Sequence, residues 1–289
     1  MSDAQPIVWR IRHRAETAST NLDARVGSHG DVFTADFQTA GRGRLDHKWL
    51  SPPGTNLMMS AVLSVEGISP DRVATLPLVA GLAVAKAVAN IVSAEFSRPS
   101  AGSLLSAARC ADKTVGCYHA AQRGRCGYGV SLKWPNDVLV GGKKIAGILC
   151  ERHGDNVIVG IGVNVGQTEF DKEIADRATS LRLLVEHSEQ SNNRTIRVTQ
   201  VRNAVLGQLG KWYGIWRERG FVAVHPEIAA LDFLRGKALS VLQTDDDSVP
   251  LSGVSNGIMP DGALDVGGTR VYAGEAHVEQ IAEGTRETT

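Results

Sequence analysis

The sequence predicts an α+β protein that ends in a small β-barrel. Two long helical patterns, at residues 75–92 and 194–219, are set among short strand-like runs. After Asp232 the texture changes to short apolar runs separated by turn residues at 245–247, 255–257, 261–262 and 267–268. Turns about every ten residues mark a small all-β unit, so two domains are expected, residues 1–231 and 232–289. Hydrophobic residues make up 43% of the 289 and charged residues 21%, which is enough to bury a core.

Residues 7–11, 31–37 and 56–65 read as strands. Between the first two, Ser19-Thr20-Asn21 reads as a helix start, because such side chains cap free backbone amides. Residues 75–92 are rich in Ala, Val and Leu, with Pro77 in the first turn, where a missing N–H costs nothing. Residues 98–129 are rich in Ser, Ala, Gly, Arg and Cys and lack a period, so a mobile insertion is expected. Residues 130–134 read as a further strand. The Gly141-Gly142 turn joins strands 138–140 and 144–151 in a hairpin. Strand 156–164 carries Gly160 and Gly162, a sign that something approaches its backbone closely. In the last helix Leu206, Leu209, Trp212, Tyr213 and Trp216 fall at helical spacing and read as core.

Lys and Arg (31) balance Asp and Glu (31), so bulk charge gives no sign of a nucleic-acid or membrane partner. Charges interrupt the N-terminal apolar stretches, and no run approaches the roughly 18 apolar residues of a membrane span. Cys110, Cys117, Cys126 and Cys150 form no CxxC pair; they are spaced loosely for zinc and are too few for a disulfide scaffold. A reduced, cytoplasmic protein is expected.

Two motifs carry chemistry. Gln38-Thr39-Ala40-Gly41-Arg42-Gly43-Arg44, followed by Lys48-Trp49, is a glycine loop able to wrap an anion with backbone amides and guanidinium forks. It is neither a Rossmann fingerprint nor a P-loop. A solvated turn or a nucleic-acid tag would also fit these residues. The second motif is Lys133-Trp134-Pro135-Asn136-Asp137, followed by Lys143-Lys144-Ile145-Ala146-Gly147-Ile148-Leu149. It is turn chemistry, and it gathers Lys133, Asp137 and Lys144 at strand ends. Lysine suits a developing phosphate charge, and aspartate suits Mg²⁺ or an incoming amine. A structural ion pair is the plainer reading.

Taken in order, Ser19-Thr20-Asn21, the glycine–arginine loop, Lys48-Trp49, Asn56-Leu57, the KWPND/KKIAGIL hairpin and the GIGVN run at 160–164 resemble the motif series of biotin–protein ligases. The likeness runs from about residue 17 to residue 182, and Asp261-Gly262 with Gly274-Glu275 is similar to the family's SH3-like terminal barrel. The resemblance implies a mixed sheet with helices on one side, as in lipoate ligases and class II synthetases. It also implies a two-step reaction, in which the biotin carboxylate takes AMP from Mg·ATP and an acceptor lysine then takes biotin. No enzyme nucleophile is needed.

Carried over by residue, Ser19, Thr20, Asn21, Gln38, Gly41, Arg42, Lys144 and Gly147 would surround biotin. Arg42, Gly43, Arg44, Lys48, Trp49, Asn136, Lys144 and Asn164 would face ATP and the adenylate. Arg42, Lys144 and Asp137 would be catalytic, with Asp137 serving either Mg²⁺ or the acceptor lysine. The implied partner is the biotin carboxyl-carrier domain of acetyl-CoA carboxylase or a related carboxylase, and a sheet edge could form a homodimer. The chain departs from the pattern at Leu45-Asp46-His47 and in its long 98–129 segment. No winged helix precedes residue 7, so operator DNA binding is not expected. Two alternatives stay open: a lipoate or octanoate ligase on the same scaffold, and a non-catalytic biotin sensor or nucleic-acid module.

Overall fold

The computed structural model describes residues 6–45, 47–96, 129–186, 195–242 and 250–279. The expected mobile insertion at 98–129 falls, but for Gly129, outside the described residues, as do Cys110, Cys117 and Cys126. In chain order the elements begin with β1 (Arg10–Thr17), α1 (Thr20–Asp23), β2 (Asp31–Gln38), β3 (Leu57–Ser64), α2 (Pro70–Val73) and α3 (Leu76–Phe96). They continue with β4 (Val130–Lys133), β5 (Asp137–Val140), β6 (Lys143–His153), β7 (Asn156–Val163), α4 (Leu181–Glu186), α5 (Val198–Arg219) and α6 (His225–Ala229). The last strands are β8 (Ala238–Leu242), β9 (Leu251–Ile258), β10 (Leu264–Val266), β11 (Thr269–Val271) and β12 (Glu275–Val278).

The α+β class is borne out. Seven strands form one mixed sheet in the order β1-β2-β3-β7-β6-β5-β4. Among the described strands of this sheet only β1 and β2 run parallel; the other neighbours are antiparallel. The predicted hairpin turns at Gly141 and Gly142, both at positive φ, where a side chain would be strained. The strand expected at residues 7–11 is displaced to Arg10–Thr17. Its side chains are exposed almost throughout, so no apolar alternation marks it. Buried Asp31 holds it by accepting from Arg10 (2.8 Å) and Arg12 (3.4 Å). The predicted helix start at Ser19 is found, but Ser19 caps nothing with its side chain, and α1 is a single turn.

Strand geometry sorts the sheet into two faces. Met59, Ala61 and Leu63 of β3, and Val157, Val159, Ile161 and Val163 of β7, enter the main core with α3 and α5. The expectation that no run is long and apolar enough for a membrane span is corrected: the segment Pro70–Ala94, which takes in most of α3, is, yet 78% of its most apolar window is buried inside the protein. Its apolarity therefore serves the core. The predicted α5 aromatics are buried there too: Trp216 Nε1 donates to Thr75 Oγ1 (3.0 Å) and Tyr213 to the Ser64 carbonyl (2.6 Å). The alternate residues of β3, β7 and β6 face the other way.

The second sheet has the order β11-β10-β9-β8-β12. The expected barrel is not closed among the described residues, because β11 and β12 do not pair. Closure needs long, tilted, staggered strands. Here β10 and β11 have three residues each, and the register slips at Asp265/Val266. This sheet packs directly on the first. Leu132 of β4 exchanges backbone bonds with Leu231 (2.7 Å) and Phe233 (2.8 Å), and buried Trp134 donates to the Gly262 carbonyl (3.2 Å). Trp134→Ala is expected to cost about 3–5 kcal/mol in urea unfolding. Trp134→Phe, which keeps part of the ring packing and loses the pyrrole ring with its hydrogen bond, should cost about 1–3 kcal/mol. Equal losses would show that the Gly262 bond, not packing, joins the sheets.

Candidate active site

The solvent side of the sheet carries Ser60 on β3, Gly160 and Gly162 on β7, and Gly147 and Glu151 on β6. α1 lays Thr20 and Asn21 across it. The backbone N–H of Thr20 donates to Gln38 Oε1 at 2.8 Å, and Thr20 Oγ1 lies 3.1 Å from the same oxygen. Thr20 Oγ1 is 2.7 Å from Ser60 Oγ, which donates to Asn21 Oδ1 at 2.6 Å. Asn21 Nδ2 in turn donates to Glu151 Oε2 at 2.6 Å. Thr20, Asn21 and Ser60 are all buried. A Cβ on Gly160 would collide with the Asn21 amide, so glycine is required for this floor to lie flat on β7.

The glycine–arginine loop folds as a small hairpin over this floor. Trp49 N–H donates to the Gly41 carbonyl (3.0 Å), Gly43 N–H to the His47 carbonyl (2.6 Å), and Arg42 pairs with Lys48 through the backbone. Its two arginines diverge. Arg42 reaches back to the floor, 2.9 and 2.7 Å from the two Glu151 oxygens. Arg44 reaches forward to the second sheet, 3.4 Å from the Gly274 carbonyl. Desolvation pulls its pKa below the usual guanidinium value, and the carboxylates of Asp137 and Glu275 oppose that pull. Trp49 lays its ring on Gly162, where a Cβ would strike it, and beside Gly147. Its indole Nε1 is buried with no hydrogen-bond partner.

A cationic end adjoins the loop. Lys144 Nζ is 2.7 Å from Asp137 Oδ1, an oxygen that is buried and takes no aligned hydrogen bond, so the contact is chiefly electrostatic. The cause is local. The β5–β6 register slips between Val138 and Leu139, so that Leu139 faces Lys144 while Asp137 faces Gly147. The extra residue leaves Ile145 and Ala146 both in the core and turns Lys144 onto the face of Gly147. The Lys144 backbone is held by Arg177 (2.7 Å) and Thr179 (2.9 Å). The Asn164 side chain braces the Thr179 carbonyl (3.0 Å), and that of Asn136 braces the Ile148 carbonyl (2.9 Å). These two predicted nucleotide-side asparagines thus frame the lysine, with their amides engaged on backbone.

The structure brings together Thr20, Asn21, Gln38, Gly41, Arg42, Trp49 and Gly147 on one face, with Asp137, Lys144 and Arg44 beside them. Ser19 contributes through its backbone carbonyl, which accepts from Leu22 and Asp23. Lys48 is exposed on the outer strand of the loop. Sequence reasoning missed Ser60, Glu151 and the Gly274-Glu275 segment as parts of this site. Among the described residues no three His, Cys, Asp or Glu side chains gather as metal ligands. Asp137 is a single carboxylate facing an ammonium, so the residues do not form a resident Mg²⁺ site. A magnesium ion would arrive on nucleotide phosphates. The Cys150 thiol is pushed up to about 12 by desolvation and then by Glu151, which leaves it inert as a nucleophile. The arrangement is a neutral hydrogen-bonding floor beside a row of cations, suited to an acid being joined to a phosphate.

Residues 13–167 match the biotin/lipoate A/B protein ligase family. The chain is 30% identical over 279 residues to a biotin–[acetyl-CoA-carboxylase] ligase of Mycobacterium tuberculosis, covering 92% of this chain and 87% of that one. It is 26% identical over 255 residues to a bifunctional ligase/repressor of Escherichia coli, spanning 85% of this chain and 65% of that one. Among solved structures, a biotin protein ligase from Aquifex aeolicus in complex with biotin and ATP superposes with a TM-score of 0.71 at 27% identity, over 94% of this chain and 99% of that one. The floor, the arginine loop and the lysine-bearing hairpin all lie within the matched residues, and the chain belongs to the biotin/lipoate A/B protein ligase family, among its biotin–protein ligases.

Proposed function

We propose that this site activates biotin with Mg·ATP and hands it to a lysine of a carboxylase biotin-carrier domain. The observation that carries the reading is the junction of the Thr20–Gln38–Asn21 floor with the Arg42, Arg44 and Lys144 cations. The acid's polar head rests on the floor, and its carboxylate points toward Lys144. There the carboxylate oxygen attacks the α-phosphate and pyrophosphate leaves. Lys144 neutralises the growing charge, and Arg42 and Arg44 hold the loop over the mixed anhydride. Asp137 then orients the acceptor amine, which displaces AMP. Trp49, with Gly43 and Lys48, covers the nucleotide side. Magnesium enters as the counter-ion of ATP. The division near residue 231 fits this scheme, with the second sheet pinning the loop through Gly274. We place the reaction in the cytoplasm, where ATP is supplied.

The test is pyrophosphate release from Mg·ATP, with biotin, lipoate and octanoate as parallel substrates. Release with biotin alone supports the reading; release with none, from folded protein, overturns it. Arg44→Gly is expected to form biotinyl-AMP and let it escape about ten- to a hundredfold faster, as one charge-assisted contact is lost. Filter retention of radiolabelled intermediate measures this, and unchanged retention would remove Arg44 from the closure.

A further inference from the structure

We infer that Glu151 sets the acid specificity from a distance, through a proton relay that ends on Thr20; this rests on the biotin reading above. The Glu151 carboxylate, ion-paired with Arg42, only accepts. Asn21 therefore turns Nδ2 toward it at 2.6 Å, with the Leu149 carbonyl a weaker second acceptor at 3.5 Å, since the flipped amide would set oxygen against oxygen. Asn21 Oδ1 then faces Ser60 Oγ at 2.6 Å and can only accept, so Ser60 spends its one proton there. The 2.7 Å contact between Ser60 and Thr20 must take the proton of Thr20. Thr20 has none left for Gln38, whose Oε1 already accepts the Thr20 backbone N–H at 2.8 Å.

Thr20 Oγ1 and Gln38 Oε1 thus stand 3.1 Å apart as two acceptors with no proton between them. Such a pair is unfavourable until an outside donor satisfies it. The ring N–H of a cyclic urea is that donor. A fatty-acid chain or a dithiolane ring has no N–H to offer, so it would bury the pair unsatisfied.

Glu151→Gln reverses the relay with almost no change in shape. The new amide can donate to Asn21 Oδ1. Asn21 Nδ2 then donates to Ser60, Ser60 to Thr20, and Thr20 to Gln38. The chain closes on itself and the acceptor pair disappears. Calorimetric binding of biotin and of octanoate to the full chain reads this out. Glu151→Gln should weaken biotin about ten- to a hundredfold and leave octanoate unchanged or tighter. In a Thr20→Val background the same substitution should change biotin affinity less than about twofold. Ser60→Ala, which cuts the relay midway, should weaken biotin and make Glu151→Gln silent, and it keeps the test available if one variant does not fold. Losses that multiply in the double variant, or equal weakening of both acids, would overturn the relay and leave Glu151 acting only through Arg42. Wild-type protein that binds no biotin would instead overturn this inference and the proposed function together.

Discussion

Lys144→Ala is expected to lower biotin-dependent pyrophosphate release by about 10²–10³-fold, the size seen when one pre-placed donor to a developing charge is removed. Three features make this lysine hard to replace. Its backbone is fixed on both sides by Arg177 and Thr179. Its side chain is turned onto the site face by the β5–β6 irregularity. Its ammonium already sits 2.7 Å from Asp137, half out of water, so little reorganisation is needed when a phosphate arrives. Lys144→Arg should not restore activity, because a planar fork cannot occupy the place of a compact point charge beside Asp137. Stability should fall by about 1–2 kcal/mol, since the lysine head is partly exposed but Asp137 Oδ1 is buried and loses its counter-ion. Thermal unfolding of the variant separates the two effects. Activity within tenfold of wild type in folded Lys144→Ala would remove the lysine from the chemistry.

Gly160→Ala is expected to weaken biotin binding about a hundredfold or more and to cost about 1–3 kcal/mol of stability. The added methyl strikes the Asn21 amide. Asn21 cannot retreat, because Ser60 and Glu151 grip its two ends at 2.6 Å. Either α1 lifts from the sheet or the chain of hydrogen bonds breaks, and both disorder the floor. Gly162→Ala places its methyl against the Trp49 ring and should instead weaken ATP. Calorimetry with each substrate distinguishes the two glycines. Wild-type biotin affinity in Gly160→Ala would place the acid elsewhere on the sheet.

These glycines show what a sequence can and cannot disclose. Gly160 and Gly162 stand out in an otherwise branched apolar strand, and the structure supplies the approaching groups, an asparagine amide and an indole. The meeting of Lys144 with Asp137 was legible from the hairpin, whose turn residues fix its register. The slip that aims Lys144 was not, since a one-residue bulge leaves no compositional trace. Strand β1 escaped because an exposed, arginine-rich edge has no period to read. Ser60 and Glu151 are single polar residues in apolar strands, indistinguishable in the sequence from ordinary solvent-facing positions. Their meaning comes from residues 39 and 130 positions away. The barrel expected from turn spacing is open among the described residues because spacing counts strands but does not measure their length or tilt.

Arg44 touches the Gly274 carbonyl across 230 positions of chain, and Trp134 reaches Gly262 across 128. During synthesis every residue of the acid floor has been made once β7 is complete, ahead of α5, which packs behind it. Gly274, whose carbonyl meets Arg44, follows on the order of ten seconds later, at ordinary translation rates. On the proposed reading, the floor that would hold the acid is thus made well before the segment that would close the loop over the mixed anhydride.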